Sequence, residues 1–599
     1  MASNSNSTIA LCSTENSDKA YTTSGSACLD FFTRIVRNAP MTDYIDAFRK
    51  AWNEDKNAAV QLLLNMRDVR TGKGEKLIPA VLLVYLSMTI APNVYEDICR
   101  KVVEYGYWKD LCKVREIRIR HGLASHIPII EATAVEIKLF AEQLAVDAKV
   151  LTDAESSEDS VAKAAISLCA KWAPSEKTHY DHHPMGFAGK IAAAMGLKPK
   201  EYRLLLSKLR AHLGVLEMLM STQQYDKIDF SKLPSVAMMK LKHAFNRDAN
   251  AEGTESDGRK TLHLSYAAYL KKLAEGKTKV NVKGIQPHEL VSTYIHGGEH
   301  DVLVQGQWDA IKQRVKSAGA FRDVTAIVDV SGSMSGQPME VAIALGILVA
   351  ECTEGAFHGQ VITFHDNPTW FRLHGSTLEE QVNHLKTAPW GGSTNMRATF
   401  DLILNQAKNA KLAQAEMVKT LFLFTDMQFN QACSYSDSWE STFEYAKRTY
   451  SEAGYELPNI VCWNLRTSNA KTMPTTQNES GFVMLSGFSA ELLKCILTGA
   501  DFSPLAMMRH VLEPYEVPAS VATCPDQLLA PDFTTLSDAV TKSQFKKAFK
   551  ATKSVVTAGK GNWGSLQDIQ AAQEALAKRV AVAQITSTNF DDSDDSSSN

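Results

Sequence analysis

Five oxygen-bearing residues stand where a chain could bring them together. Asp329, Ser331 and Ser333 lie in DVSGS, Thr394 lies in GGSTN, and Asp426 follows LFLFT. Two carboxylates and three hydroxyls, with no thiol or imidazole among them, form an all-oxygen set. Such a set suits a hard divalent cation, and Mg²⁺ keeps several waters while using few carboxylates. Mg²⁺ or Mn²⁺ is therefore the cofactor these residues imply. Alternation along an extended DxSxS segment puts Asp329, Ser331 and Ser333 on one side, and Gly332 would let the backbone turn tightly around an ion. The alternative is a plain Ser-Gly-Ser turn with Asp329 as a helix cap. Against it stand the strand-like run before the motif, the helical run after it, and Thr394 and Asp426 in the right order. A serine spent on a metal is a poor nucleophile, and no histidine stands in useful sequence context to activate one. Kinase, dinucleotide and zinc-protease patterns are absent as well. A catalytic set is thus not expected.

The elements that must position these residues are strands and helices in alternation. DVTAIVDV (323–330), GQVITFH (359–365), VKTLFLFTD (418–426), NIVCWNL (459–465) and GFVMLSG (481–487) are short, apolar and β-branched. Helix-period segments separate them: 338–353, about 396–413, 438–454 and 489–499. This order predicts a doubly wound α/β sheet, with ligands at the carboxyl ends of its strands. From Cys28 to about Tyr294 the spacing is helical instead, as in LIPAVLLVYLSM and YRLLLSKLRAHLGVLEMLM, and turn signals punctuate it. The predicted organisation is a flexible segment at 1–27, an α-helical repeat domain at 28–310, a Rossmann-like α/β domain at 320–515, and an extension at 516–599. Loops are expected at 152–160 and 246–260. In the extension a helix near 564–583 precedes a disordered acidic, serine-rich tail.

With 599 residues, 45% of them hydrophobic and 22% charged, the chain is an ordinary globular protein too long for one core. It has no run of about 18 uncharged apolar residues to span a membrane and no secretory leader at its start. The ten cysteines are scattered without a CxxC, so reduced thiols and a cytoplasmic location are expected. The net charge of -3 hides an asymmetry. Lys and Arg outnumber Asp and Glu by 39 to 32 over residues 31–300, and are outnumbered 25 to 35 elsewhere.

DVSGSM, WGGSTN and FTDMQF resemble the metal-ion-dependent adhesion site of a von Willebrand factor A domain. The resemblance implies that Ser331 and Ser333 bind the metal directly, Thr394 directly or through water, and Asp329 and Asp426 mostly through water. An acidic group of a partner would fill the last position. LDFFTRIVR, MRDVRTGKGEK, YGYWKDL, KWAPSE, LRAHLGVLEMLM, IDFSKLPSVAMMKLKHAF, VCWNLR and SGFS together resemble a family that joins a TROVE-like (HEAT-like) helical half to a C-terminal A domain. That resemblance covers roughly residues 28–515. Its remoter relatives are the Ro-type ribonucleoproteins, whose ring of helical repeats binds small structured RNA.

Other signals are weaker. GKGEK (72–76) lacks a P-loop's spacing and a preceding strand, and fits a helix-pair turn with Lys73 on a basic rim. His179, His182 and His183 match no zinc spacing and fit a surface loop. The basic clusters at 113–121, 198–210 and 271–283 offer Arg118, Arg120, Lys198 and Arg203 to phosphates, with Tyr107, Trp108, Tyr202 and Tyr269 to stack on bases. Ordinary solvated helix faces are the alternative. The expected function is a non-enzymatic scaffold that binds RNA through its helical half and a partner's acidic group through the metal. A protein–protein adaptor or self-assembling subunit without RNA is the rival, and a metal-dependent hydrolase stands behind both.

Overall fold

The computed structural model describes residues 9–14, 19–37, 39–120, 128–156, 165–182, 186–248, 257–319, 321–364, 367–388, 395–428, 442–467, 472–497 and 501–530. The expected helix near 564–583 and the acidic tail lie outside them. A helical region over about residues 27–316 precedes a mixed α/β region built on a mostly parallel six-stranded sheet. Within the first 27 residues, β1 (Leu11–Ser13) pairs antiparallel with β2 (Lys19–Tyr21). The chain packs as two compact units: 1–36, 50–75 and 216–517 form one, and 37–49, 76–215 and 518–599 form the other. Packing groups the helices of 216–316 with the sheet.

In the first unit, β3 (Phe321–Arg322) pairs with β5 (Thr353–Glu354) beside the main sheet. The main sheet contains β4 (Val324–Asp329), β6 (Gln360–Phe364), β7 (Thr369–Arg372), β8 (Thr420–Thr425), β9 (Asn459–Asn464) and β10 (Phe482–Ser486), in the order β10-β9-β8-β4-β6-β7. All five apolar runs form strands. Every residue of β4 and β10 is buried, as expected of parallel strands covered on both faces. The short β7 was not expected. It pairs antiparallel to β6 at the sheet edge and leaves its residues partly exposed.

The helix Gln337–Cys352 lies against β4 so closely that a Cβ on Gly346 would stand 2.5 Å from Val328 Cγ2. From β4 the chain crosses through this helix to β6 on one side. From β8 it crosses through Thr442–Glu452 to β9 and β10 on the other. The winding therefore reverses between β4 and β8, and an open α/β sheet forms its ligand crevice at the carboxyl ends of such strands. The helix Pro287–Ile295 packs on Gln337–Cys352, while Ala27–Arg34 and Pro504–Leu512 pack on β10.

In the second unit, Leu77–Thr89 packs against Lys109–Arg120 and Pro128–Ser156, and Pro92–Tyr105 also meets Pro128–Ser156. Ten consecutive residues of Leu77–Thr89, Ile78 to Ser87, are buried, so this apolar segment is the unit's central helix. Pro92 starts Pro92–Tyr105, where a missing N–H costs nothing. The expected loop at 152–160 is corrected in its first half, because Pro128–Ser156 stays helical to its end. Residues 157–164 lie outside the described residues. Of the expected loop at 246–260, residues from Asp257 on belong to the helix Asp257–Ala274, and 249–256 lie outside the described residues.

Candidate metal centre

Asp329 is the last residue of β4, and Asp426 follows the last residue of β8, so parallel pairing delivers both carboxylates to the switch point. Both are buried, at 0% and 1% exposure. Asp329 Oδ1 accepts from the Ser331 N–H at 2.9 Å, and its Oδ2 accepts from the Thr425 hydroxyl at 2.7 Å. Asp426 Oδ1 accepts from the Gln428 N–H at 3.1 Å. Its Oδ2 accepts from the Arg466 guanidinium at 3.2 Å. Burial, and after it the nearby Asp426 carboxylate, push the Asp329 carboxyl up to about 7, against the hydrogen bonds from Ser331 and Thr425. A buried carboxylate in that position gains from a cation.

The hydroxyls of Ser331 and Ser333 stand 3.0 Å apart. Oxygens held ~2.1 Å from a Mg²⁺ ion on adjacent octahedral positions are about 3.0 Å from each other, so this spacing suits two neighbouring ligands. Ser331 is buried and Ser333 half-buried. The donor set thus fits a hard cation that keeps part of its water. Thr394 lies outside the described residues; the helix that follows it, Met396–Ala410, is capped by Asn395, whose side chain accepts from the Ala398 N–H at 3.0 Å.

The expectation for Gly332 is corrected. Its φ is not positive, and a Cβ there would meet nothing within 4 Å. The turn into the helix is instead made at Gly336, with φ 84° and ψ -139°, a conformation that favours glycine. Met427, just after Asp426, holds φ 61°, which costs a side-chain-bearing residue energy and marks a constrained loop. The Thr425 hydroxyl secures it by accepting from the Met427 N–H at 3.2 Å.

Arg466 was not singled out as a site residue. It lies two residues past the end of β9, the strand beside β8. With both Asp329 and Asp426 ionised beside Arg466, the site carries one net negative charge, so a divalent ion would leave it one positive.

The basic residues fare differently. Lys73 and Arg118 are each 1% exposed, and the expectation that they face phosphates is overturned by burial. Lys73 Nζ donates to Phe32 O at 2.5 Å and Ser486 Oγ at 2.7 Å, and lies 4.5 Å from the centre of the Phe32 ring. Arg118 makes two 2.9 Å hydrogen bonds to Glu136 and one of 3.2 Å to the Tyr95 hydroxyl. Arg120 is the last residue of Lys109–Arg120. Lys198 is exposed at the start of Pro199–His212, and the exposed Arg203 pairs with Glu176. Tyr202 and Tyr269 are buried, with hydroxyls donating to Pro174 O and Lys279 O, so neither is placed to stack on a base. Tyr107 and Trp108 are half-buried. Tyr107 stands 5.8 Å from Trp172, over which Lys109 and Lys171 lie at 5.7 and 5.3 Å. This aromatic–basic cluster was not anticipated as a group.

His179 contacts Glu116 at 3.2 Å, His182 is exposed, and His183 lies outside the described residues. Among the described residues no group of three His, Cys, Asp or Glu is placed to hold a metal, and no helix is long and apolar enough to cross a membrane. The segment after Lys56–Arg67 leads to Leu77–Thr89 with no strand before it, as expected.

Residues 323–515 match the family described as Domain of unknown function (DUF7788). Residues 14–136 and 134–321 match Domain of unknown function (DUF2828). Over 546 residues the chain is 56% identical to "Uncharacterized protein L728" of Acanthamoeba polyphaga mimivirus, an alignment covering 90% of this chain and 94% of that one.

Proposed function

The chain belongs to the DUF2828 family, with a DUF7788 domain after its helical region, and we propose that it is a non-enzymatic, cytoplasmic binding protein that captures an acidic group through Mg²⁺ or Mn²⁺. The observation that carries this reading is the pair of buried carboxylates, Asp329 and Asp426, beside the Ser331 and Ser333 hydroxyls at 3.0 Å. Ser331, Ser333 and Thr394 would hold the ion, with Asp329 and Asp426 in support, as in the von Willebrand factor A adhesion site that the motifs resemble. When bound, the ion supplies an electrophilic centre that an incoming carboxylate can complete. This chain's own part is to orient the serines from the β4 loop and to hold Asp426 against Arg466. That guanidinium limits the negative charge and offers a second donor to an arriving anion.

The carboxylates accept from Ser331, Thr425, Gln428 and Arg466, which suits them to orienting the shell of an ion. Calorimetry tests the assignment: Mg²⁺ should bind the wild type and bind Ser331→Ala at least tenfold more weakly. Equal affinities would sink it.

A role in binding small structured RNA, as the resemblance to Ro-type proteins suggests, is supported by the Tyr107, Trp172, Lys109 and Lys171 cluster and by exposed Lys198 and Arg203. The burial of Lys73 and Arg118 favours the adaptor without RNA. RNA that co-purifies and leaves in a high-salt wash would favour the first of these. Clean protein that captures its partner only with Mg²⁺ would favour the second.

A further inference from the structure

The serine loop of the candidate metal centre is fastened differently at its two ends. At the β4 end the Ser331 N–H donates to Asp329 Oδ1 at 2.9 Å, so Ser331 follows the strand. Ser333 has no such tie, and among the described residues its hydroxyl meets that of Ser331 alone, at 3.0 Å. It lies in the short turn Gly332–Met334, closed by the Met334 N–H on Ser331 O at 3.0 Å and the Ser335 hydroxyl on Gly332 O at 2.8 Å. Just beyond that turn Gln337 begins the helix Gln337–Cys352. The placement of this helix's first turn therefore sets the placement of Ser333.

That first turn is held from the helical region. Gln337 Nε2 donates to His288 Nε2 at 3.2 Å. Glu340 Oε1 accepts from the Ser292 hydroxyl at 3.2 Å and from His296 Nε2 at 3.0 Å. His288, Ser292 and His296 follow one another at four-residue spacing along and just past Pro287–Ile295, so they share one face of that helix. The helix is itself anchored. Pro287 opens it, Leu290, Val291 and Tyr294 are buried, and Lys386 Nζ donates to Tyr294 O at 2.6 Å. His288 is 3% exposed and packs edge-on against the Phe488 ring, 5.3 Å between centres.

We propose that Gln337 and Glu340 are positioning residues of the metal centre, through which Pro287–Ile295 holds Ser333 in its ligating place. The inference rests on the metal-capture reading above and adds to it. Among the described residues, neither side chain bonds to a proposed ligand of the ion. They fix the helix, and the helix fixes the serine. Pro287–Ile295 lies in the stretch that matches DUF2828, and the serine loop in the stretch that matches DUF7788. The centre thus becomes a joint property of both regions. Groups that orient metal ligands contribute about ten- to a hundredfold in metal affinity.

Titration calorimetry with Mg²⁺ on the full chain tests this, with melting curves in EDTA as the check on folding. Glu340→Ala combined with Gln337→Ala should bind Mg²⁺ about tenfold more weakly than wild type. Both positions are half-buried, so the melting temperature should stay within a few degrees. Glu340→Gln keeps an acceptor oxygen for Ser292 and His296 and loses only the charge, so it should bind Mg²⁺ nearly as wild type does. A loss in Glu340→Gln as large as in Glu340→Ala would make the effect one of charge and overturn positioning. A mutant cycle with Ser333→Ala supplies a readout that a merely structural role would not move. If the pair acts through that hydroxyl, adding Glu340→Ala and Gln337→Ala to Ser333→Ala should weaken Mg²⁺ binding little further. Full additivity would overturn the proposal. Ser292→Ala with His296→Ala breaks the Glu340 contacts from the other side, leaves the metal-bearing helix intact, and should weaken Mg²⁺ binding in the same sense. Mg²⁺ affinity unchanged in both double variants would overturn the inference and leave the metal reading standing. Absence of Mg²⁺ binding by wild type would remove that reading, and the inference with it.

Discussion

Lys73 Nζ donates to Ser486 Oγ at 2.7 Å, although 413 residues separate them in the chain. The ammonium lies against the carboxyl end of β10, where desolvation lowers the lysine to about 7, only partly opposed by Glu75. An unfolded lysine titrates near ~10.4. Between about pH 7 and 10 the unfolded chain therefore binds more protons at this residue than the folded one, so its contribution to stability rises with pH across that window. Below it both states are protonated and the burial cost is fully present. Buried thiols such as Cys462, raised by desolvation, act in the opposite direction, so the difference between wild type and Lys73→Met is the useful quantity. Unfolding by urea should show wild type gaining on the variant by up to about 1.4 kcal/mol per pH unit. A difference that stays flat from pH 7 to 10 would contradict the depressed lysine.

Arg118 and Glu136 form a second buried pair, at 1% and 0% exposure. Removing one partner of such a pair strands the other charge and costs about 3–5 kcal/mol. Glu136→Gln should accordingly unfold at markedly lower urea concentration. Arg118→Met combined with Glu136→Leu should recover part of the loss, since an apolar pair replaces the broken one, although buried Arg115 also loses the Glu136 charge beside it. If Glu136→Gln unfolds like wild type, the pair does not carry the stability assigned to it. Loss of RNA binding in an Arg118 variant would in any case report on folding.

The residues that were legible and those that were not differ by one physical property. Asp329, Ser331, Ser333 and Asp426 could be placed because each sits at or just past the end of a β-branched apolar run. Parallel winding brings such ends together whatever the register. Arg466 needs the actual neighbour relation of β8 and β9, which no local pattern carries. Lys73 and Arg118 looked like rim cations because their neighbours in sequence are polar. Their burial depends on Phe32, Ser486 and Glu136, which only the folded chain supplies. The edge strand β7 is too short and too exposed to announce itself, and Gly332 drew the eye although the positive φ belongs to Gly336.

For nucleic acid, the structure moves the test to the exposed Lys198 and Arg203 and the half-buried Lys109 and Lys171. Lys198, Arg203, Lys109 and Lys171 remain candidates, and each lost phosphate contact should reduce the slope of log K against log salt by about 0.7–0.9. Trp172→Ala should weaken binding to single-stranded RNA with little change in that slope, because stacking displaces no counterions. If charge reversal at Lys198, Arg203, Lys109 and Lys171 together leaves RNA affinity unchanged, the adaptor without RNA becomes the better account.

Capture through the metal and stabilisation by the metal make different demands on Asp426. Its side chain is buried and holds Arg466 at 3.2 Å and the Gln428 N–H at 3.1 Å. Asp426→Asn preserves the size and keeps one acceptor oxygen, enough for one of the two donors, and removes the charge that favours a divalent ion. If the ion serves partner capture, this variant should melt within a few degrees of wild type and lose Mg²⁺-dependent pull-down from native lysate. Arg466→Gln should keep metal binding, since it removes only a competing cation, yet weaken capture by removing a donor that an incoming carboxylate could use. If the ion serves folding alone, Mg²⁺ should raise the wild-type melting temperature while the partner profile stays the same in Mg²⁺ and EDTA. Pull-downs and thermal melts of the three proteins, with and without Mg²⁺, separate these outcomes. Identical partner profiles throughout would remove capture. Phosphodiester or peptide cleavage that disappears in Asp426→Asn would replace a binding site with a catalytic one.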